Sequence, residues 1–278
     1  MLGKLIKHEF RATGRIMLPL LGAVLVLSPI AGTIMRALDR GQLKNVFRFL
    51  GGAVVALFFM AVAAVFIISL ALMVRRFYSN LLQDEGYLMF TLPVSTHSLI
   101  WSKLVVSFVW FVVASVSSVI FIAVVTVISY AGADFSVAIS FSRELTRLVG
   151  GWNIAAYILE GIICLFLLSC SVCLHFYAAI ALGYSFANHK TLLSVCFYVI
   201  LSIVMTWLMF MAFGLVGDSV MGCITEIIDV WMNGIKEARN YAIIPHVLFL
   251  AADIYFLIVS ALYYIPTVLP LKKSLNIN

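Results

Sequence analysis

The sequence predicts an all-α membrane protein with six transmembrane helices, and three observations carry that expectation. Of 278 residues, 64% are hydrophobic and 11% charged, whereas a soluble domain carries about 25% charged residues. Four runs free of charge, Ile16 to Met35, Phe49 to Val74, Leu104 to Ala133 and Thr191 to Gly217, reach the ~20 residues that cross ~30 Å of hydrocarbon. Two further spans, near 153–187 and 246–270, are interrupted by ionisable residues. All of these runs are too long and too evenly apolar for barrel strands, which alternate over ~10 residues.

In chain order, residues 1–15 are too polar to span. Leu2, Leu5, Ile6 and Phe10 recur at helical spacing among Lys4, Lys7, Arg11 and Arg15. This pattern predicts an amphipathic elbow helix lying in the membrane interface. A basic start before an apolar run also fits a signal peptide, but the long run lacks a clear small-residue cleavage site, so an uncleaved anchor is expected. The expected spans lie near 16–36, 49–75, 103–130, 152–187, 191–217 and 246–270, in one transmembrane domain covering 1–278. Pro19 and Pro29 should bend the first span, a tolerable cost where neighbours satisfy the freed carbonyls. The segment 76–102 joins spans two and three, and Asn188, His189 and Lys190 make a tight turn between spans four and five. In the outer loop 218–245, Val220, Ile224, Ile227, Ile228, Trp231 and Ile235 share one helical face, which predicts short outer helices.

The net charge of +6 does not call for nucleic acid. Membrane proteins gather Lys and Arg beside their cytoplasmic ends, and no basic stripe interleaved with aromatics lies outside the spans. Six spans put both termini on one side. If that side is cytoplasmic it holds Lys4, Lys7, Arg11, Arg15, Arg75, Arg76, Lys103, Lys190, Lys272 and Lys273. This slightly outweighs the opposite side, although the basic loop 36–48 counts the other way. Cys164, Cys170, Cys173 and Cys196 lie in apolar runs and read as small packing residues. The Cys170-x-x-Cys173 pair with His175 lacks a second ligand pair, so no metal is expected.

The segment from Arg75 to Lys103 combines charge, a helix breaker and aromatic residues. Leu81 to Leu92 is too short to cross a bilayer, so its apolar residues need the interface, the bundle or another protein. Pro93 disfavours helix at Leu92, and Ser95 or Thr96 can cap the helix that becomes span three. A short rod, a stop and a newly capped helix make an elbow that could transmit force.

The run Asp84-Glu85-Gly86-Tyr87-Leu88, then Leu92-Pro93-Val94-Ser95, then Lys103 entering a span, resembles the signature of the membrane subunits of type-two ABC exporters. Six spans, an amino-terminal elbow and a helical outer loop between spans five and six are similar to that family across nearly the whole chain. The motif itself covers about twenty residues. The interval from Gly86 to Pro93 is shorter than in commoner members, and in this the chain resembles a side branch associated with bacterial peptide resistance or peptide export. The resemblance implies a permease in a bacterial plasma membrane, with 76–102 as a cytoplasmic coupling segment. Asp84, Glu85, Gly86, Tyr87, Leu88, Phe90 and Pro93 would then contact a separate ATPase. No G-x-x-x-x-G-K-[ST] phosphate loop occurs here, so ATP and Mg would bind a partner, and this chain would be neither an ATPase nor a cofactor carrier. The family pattern implies two ATPase subunits, and a second permease copy or a related permease, in the lipid membrane. The cargo would be a peptide or an amphipathic, lipid-like compound.

Glu160 and His175 fall in span four and Asp253 in span six. Ionisable groups at membrane depth mark a pathway or a partner by default, unless Glu160 and Asp253 reach water near the outer ends. Glu160 and His175 are fifteen residues apart, roughly 22 Å along a helix, so they cannot form a relay within one span. Two other functions stay open on these residues. One is an ion- or proton-coupled secondary transporter using Glu160 and Asp253, although no clear internal repeat accompanies it. The other is an intramembrane hydrolase built from Ser169, His175 and Glu160.

Overall fold

A computed structural model describes residues 2–41, 45–82, 95–130, 143, 151–186, 189–233 and 243–274. Asp84, Glu85, Gly86, Tyr87, Leu88, Phe90 and Pro93 lie outside the described residues, so the expected coupling helix is not described. The described chain is all-α. Its long helices are α1 (Leu2–Asp39), α2 (Asn45–Leu82), α3 (Thr96–Ser129), α4 (Gly151–Tyr184), α5 (Lys190–Asn233) and α6 (Ile243–Ser274). All six are long and apolar enough to cross a membrane, consistent with a multi-pass membrane protein.

Two elements differ from expectation. Residues 2–15 do not form a separate elbow. They are the first turns of α1, which runs unbroken through Pro19 and Pro29 to Asp39. No breaker stands between Leu2 and Leu18 to detach them, and Gly14 packs against the Trp110 ring, 3.5 Å from where a Cβ would sit. Likewise, 218–233 continues α5, a 44-residue helix, while 234–242 of the expected outer loop, Ile235 among them, lie outside the described residues. No proline interrupts that stretch, and its one glycine, Gly222, costs propensity without breaking the ladder.

The chain divides into two compact units, Met1–Asp134 and Phe135–Asn278. In the first, Glu9 meets Arg76 and Asn80 while Met17 meets Ser69, so α1 and α2 are antiparallel. Glu9 meets Lys103, Thr13 meets Trp110, and Gly32 meets Ile128, so α1 and α3 are parallel. Met17, Val24, Phe58, Val65, Trp110 and Phe121 belong to the buried core between these helices. Gly32 permits the close approach: a Cβ there would stand 2.9 Å from Ile128 Cβ. Small residues serve this purpose in membrane helices, where van der Waals packing drives association.

The second unit repeats the arrangement. His175 on α4 meets Ser202 on α5, and Gly183 meets Ser194, an antiparallel pair. Glu160 meets His246 on α6, and Gly161 approaches Phe249, a parallel pair. In each unit, therefore, the first helix packs against both others, parallel to the third. The turn before α5 uses His189 at φ 53, a left-handed conformation in which His is among the enriched residues.

Candidate functional site

Three helix ends of the first unit converge on one carboxylate. Glu9 is 5% exposed. Its Oε1 accepts from Lys103 Nζ at 2.7 Å and from Asn80 Nδ2 at 3.0 Å. Its Oε2 faces Arg76 Nη1 at 3.5 Å. Lys103, 3% exposed, also donates to the Arg76 carbonyl at 3.4 Å. Burying an ion pair costs several kcal/mol of desolvation per ion, repaid only where good geometry and further hydrogen bonds satisfy the charges. The amide of Asn80 and the Arg76 carbonyl supply that satisfaction here.

One turn along α1 a second layer extends the cluster. The Thr13 hydroxyl donates to the Glu9 carbonyl at 2.9 Å and accepts from Trp110 Nε1 at 2.7 Å. The Trp110 ring in turn stacks on Phe10, with centroids 4.8 Å apart. Buried indole N–H groups need such a partner, and this one locks the α1–α3 register immediately beside the ion pair.

The level of the cluster follows from the charge pattern. The uncharged stretch begins after Arg15 on α1, ends before Arg75 on α2 and begins after Lys103 on α3. Helices α1 and α2 each have 38 residues, about 57 Å at 1.5 Å per residue, against ~30 Å of hydrocarbon. The cluster therefore sits at one membrane boundary, where the three helices emerge. Asn80 is in the last turn of α2, and Lys103 is two turns into α3. The segment 83–94 connects those two helices, so Glu9 ties both of its flanks to α1. At the second flank, Ser95 caps α3 as expected: it is extended and its hydroxyl accepts from Ser98 N at 3.3 Å.

The second unit holds the intramembrane ionisable residues at separate places. Glu160 Oε1 lies 2.7 Å from His246 Nδ1, and the His246 ring packs on Tyr157. Asp253 on α6 lies near enough to Cys164 on α4 to interact with it electrostatically, and its Oδ1 has no hydrogen-bond partner among the described residues. His175 bonds Ser202 through Nε2 at 3.0 Å and meets the edges or faces of Tyr198, Tyr263 and Phe176. The Ser169 hydroxyl donates to the Phe166 carbonyl at 2.8 Å in its own helix. Ser169, His175 and Glu160 thus make hydrogen bonds to three different groups. Among the described residues, no group of three or more His, Cys, Asp or Glu side chains could hold a metal ion.

Glu9 and Asn80 were not legible as site residues, and Lys103 read as a boundary charge and as the end of the exporter-like signature, not as a partner of Glu9. A signal for Glu9 existed. At 100° per residue, Lys4, Lys7, Arg11 and Arg15 share one face of α1, and Glu9 lies on the opposite face. A lone acid facing the apolar side of a basic helix needs a cation from elsewhere in the chain.

These features define a multi-pass helical membrane protein with a buried ionic cluster at one boundary. No protein-family model matches the sequence, and no curated protein or solved structure matches it either.

Proposed function

We propose that the chain is the membrane subunit of an ATP-driven exporter. Two copies, or one copy and a related permease, form the translocation pathway, and two separate ATPase subunits drive it. Residues 81–93 are the coupling rod, with Asp84, Glu85, Gly86, Tyr87, Leu88, Phe90 and Pro93 contacting the ATPase. Both termini and the rod are cytoplasmic, in a bacterial plasma membrane. The cargo is a peptide or an amphipathic, lipid-like compound.

One observation carries this reading: Glu9 accepts hydrogen bonds from Asn80 and Lys103, which flank the rod. A push on the rod moves the ends of α2 and α3. A loose loop would dissipate that motion locally. Because a buried, fully engaged carboxylate fastens both ends to α1, the motion passes to three membrane helices together. The similarity of Asp84 to Ser95, and of Lys103, to the exporter signature supplies the class of the motor.

The test is co-purification of the intact membrane complex, followed by ATPase assay of rod variants. Glu85→Ala and Gly86→Pro should retain membrane insertion and lose cargo-stimulated ATP turnover. Unchanged stimulated turnover in both, or a chain that transports without any nucleotide-hydrolysing companion, overturns the proposal.

A second reading rests on the Glu160–His246 pair and on Asp253. Carboxylates at membrane depth suit an ion- or proton-coupled secondary transporter. Transport that survives ATP depletion and collapses with the proton gradient would select it.

A further inference from the structure

The outward face of α1 carries chemistry that the ionic cluster does not use. Lys4, Lys7, Arg11 and Arg15 are spaced by three, four and four residues and are all exposed. They form a stripe on the side of the helix opposite Glu9. Beside the stripe, an open groove of about 480 Å³ runs between α1 and α3. Arg11 and Arg15 rim it, and Phe10, Leu18, Trp110 and Val113 line it with apolar surface. Gly14 leaves the groove open, since a side chain there would stand against the Trp110 ring.

The position of the groove decides what fits it. Its charged rim lies at the end of α1 that precedes the uncharged run Ile16 to Met35. Its apolar lining ends at Leu18 on α1 and Val113 on α3, both inside the uncharged runs of their helices. An occupant must therefore present an anion at the boundary and hydrocarbon one to two turns deeper. An acidic protein surface meets the first requirement and fails the second. Clusters of four or more Lys and Arg beside a membrane helix attract anionic lipid headgroups. Here two of the four are also fixed on one rigid helix beside a slot for an acyl chain.

We propose that the α1–α3 groove binds an anionic phospholipid, with its phosphate between Arg11 and Arg15 and one acyl chain along Leu18, Trp110 and Val113. The site is independent of the ATP-driven reading, because it involves no residue of the rod and needs no motor. Lipid held there would brace the outer side of α1 while Glu9 holds the inner side.

The test uses the purified full chain in vesicles of phosphatidylcholine containing spin-labelled phosphatidylglycerol or spin-labelled phosphatidylcholine. The motionally restricted fraction of each label reports relative association. The native chain should favour phosphatidylglycerol by about fivefold or more, as expected for basic groups near the surface. Arg11→Gln/Arg15→Gln should abolish most of that preference. Lys4→Gln/Lys7→Gln removes equal charge outside the groove and should keep most of it. Arg11→Lys/Arg15→Lys should restore it, which separates lipid binding from misfolding. Equal association of the two lipids with the native chain overturns the proposal. So does an equal loss in the two glutamine pairs, which would mean diffuse surface attraction. A preference that persists undiminished in Arg11→Gln/Arg15→Gln also overturns it.

Discussion

Lys103 Nζ lies 2.7 Å from Glu9 Oε1 although 94 residues of chain separate them. The pair fixes the start of α3 against the start of α1 at the level where both leave the hydrocarbon. Both side chains are almost wholly buried, so the contact is far from the marginal ion pairs of exposed surfaces, which contribute about 0–1 kcal/mol.

Removing only one partner should be expensive. Lys103→Met leaves Glu9 buried with Asn80 and the more distant Arg76, at a cost of about 3–5 kcal/mol for an uncompensated charge. Glu9→Leu/Asn80→Leu/Lys103→Met removes the carboxylate together with the groups that need it. Arg76 is 28% exposed at its side chain and can turn to water, so the triple variant should recover most of the loss. Reversible unfolding in mixed detergent micelles measures both. If the triple variant is as unstable as the sum of its single substitutions, the cluster is not a coupled unit.

The same triple variant separates stability from coupling. In the proposed exporter it should assemble with the ATPase yet lose at least half of cargo-stimulated ATP turnover, because apolar packing replaces directional bonds to α1 with contacts that slide. Wild-type stimulation in a well-folded triple variant would show that the flanks of 83–94 need no fastening.

Glycine substitutions should divide sharply by position. A Cβ at Gly183 would lie 2.6 Å from Ser194 Cα. That is main chain, which cannot rotate away, so Gly183→Ala should force α4 and α5 apart and lower the unfolding free energy by an amount typical of overpacking, about 1–3 kcal/mol. At Gly52 nothing lies within 4 Å of the added atom, and Gly52→Ala should be neutral or stabilising by up to about 1 kcal/mol. Equal effects at the two positions would show that propensity, not the α4–α5 contact, dominates.

The helices were legible in the sequence because hydrocarbon thickness dictates their length. Six uncharged or nearly uncharged stretches marked the six long helices, and Ser95 could be placed as a cap from its hydroxyl and the preceding proline. The ends were less legible. Charge at 2–15 and at 218–233 reads as departure from the membrane, but a helix does not stop where the bilayer does: with no proline in either stretch, α1 and α5 simply continue. The ionic cluster was illegible for a different reason. Glu9, Arg76, Asn80 and Lys103 come from three segments, and their meeting depends on the registers of α1 against α2 and of α1 against α3, which apolar periodicity does not fix. The likeness between the two units was hidden similarly. It lies in which helix packs on which, and that pattern imposes no particular residue at matching positions.

His175 should behave as a packed aromatic with one useful bond. Its ring meets Tyr198 and Tyr263 at centroid distances of 4.8 and 5.0 Å, and among the described residues only its Nε2 has a hydrogen-bond partner, Ser202. His175→Phe keeps the ring contacts and should cost about 1 kcal/mol, the net value of a lost hydrogen bond. His175→Ala opens a cavity and should cost about 3 kcal/mol or more. If His175→Phe abolishes transport in a fully folded complex, the imidazole handles protons or cargo and the packing account fails.

Glu160 and His246 occupy in the second unit the place that Glu9 and Lys103 occupy in the first: an acid near the start of the first helix and a base near the start of the third. The environments differ. Both side chains of the Glu160 pair are about 30% exposed, and Glu160 Oε2 has no partner among the described residues. The pair is therefore less constrained than the Glu9 cluster, and its coupling should be correspondingly small. A double-mutant cycle on Glu160→Ala and His246→Ala should give roughly 0.5–2 kcal/mol, the range for side-chain hydrogen bonds between membrane helices. Glu160→Gln tests the role more sharply. It preserves an oxygen acceptor for His246 while removing the charge, so an exporter driven by ATP should retain transport within about twofold, since an uncharged side chain at that depth is the cheaper one to keep in the span. A secondary transporter needs the carboxylate to bind and release its ion, and the same substitution would stop it. Measuring Glu160→Gln in proteoliposomes, once with ATP and the partner ATPase and once with only a proton gradient, distinguishes a structural fastening from a coupling site on a single atom pair.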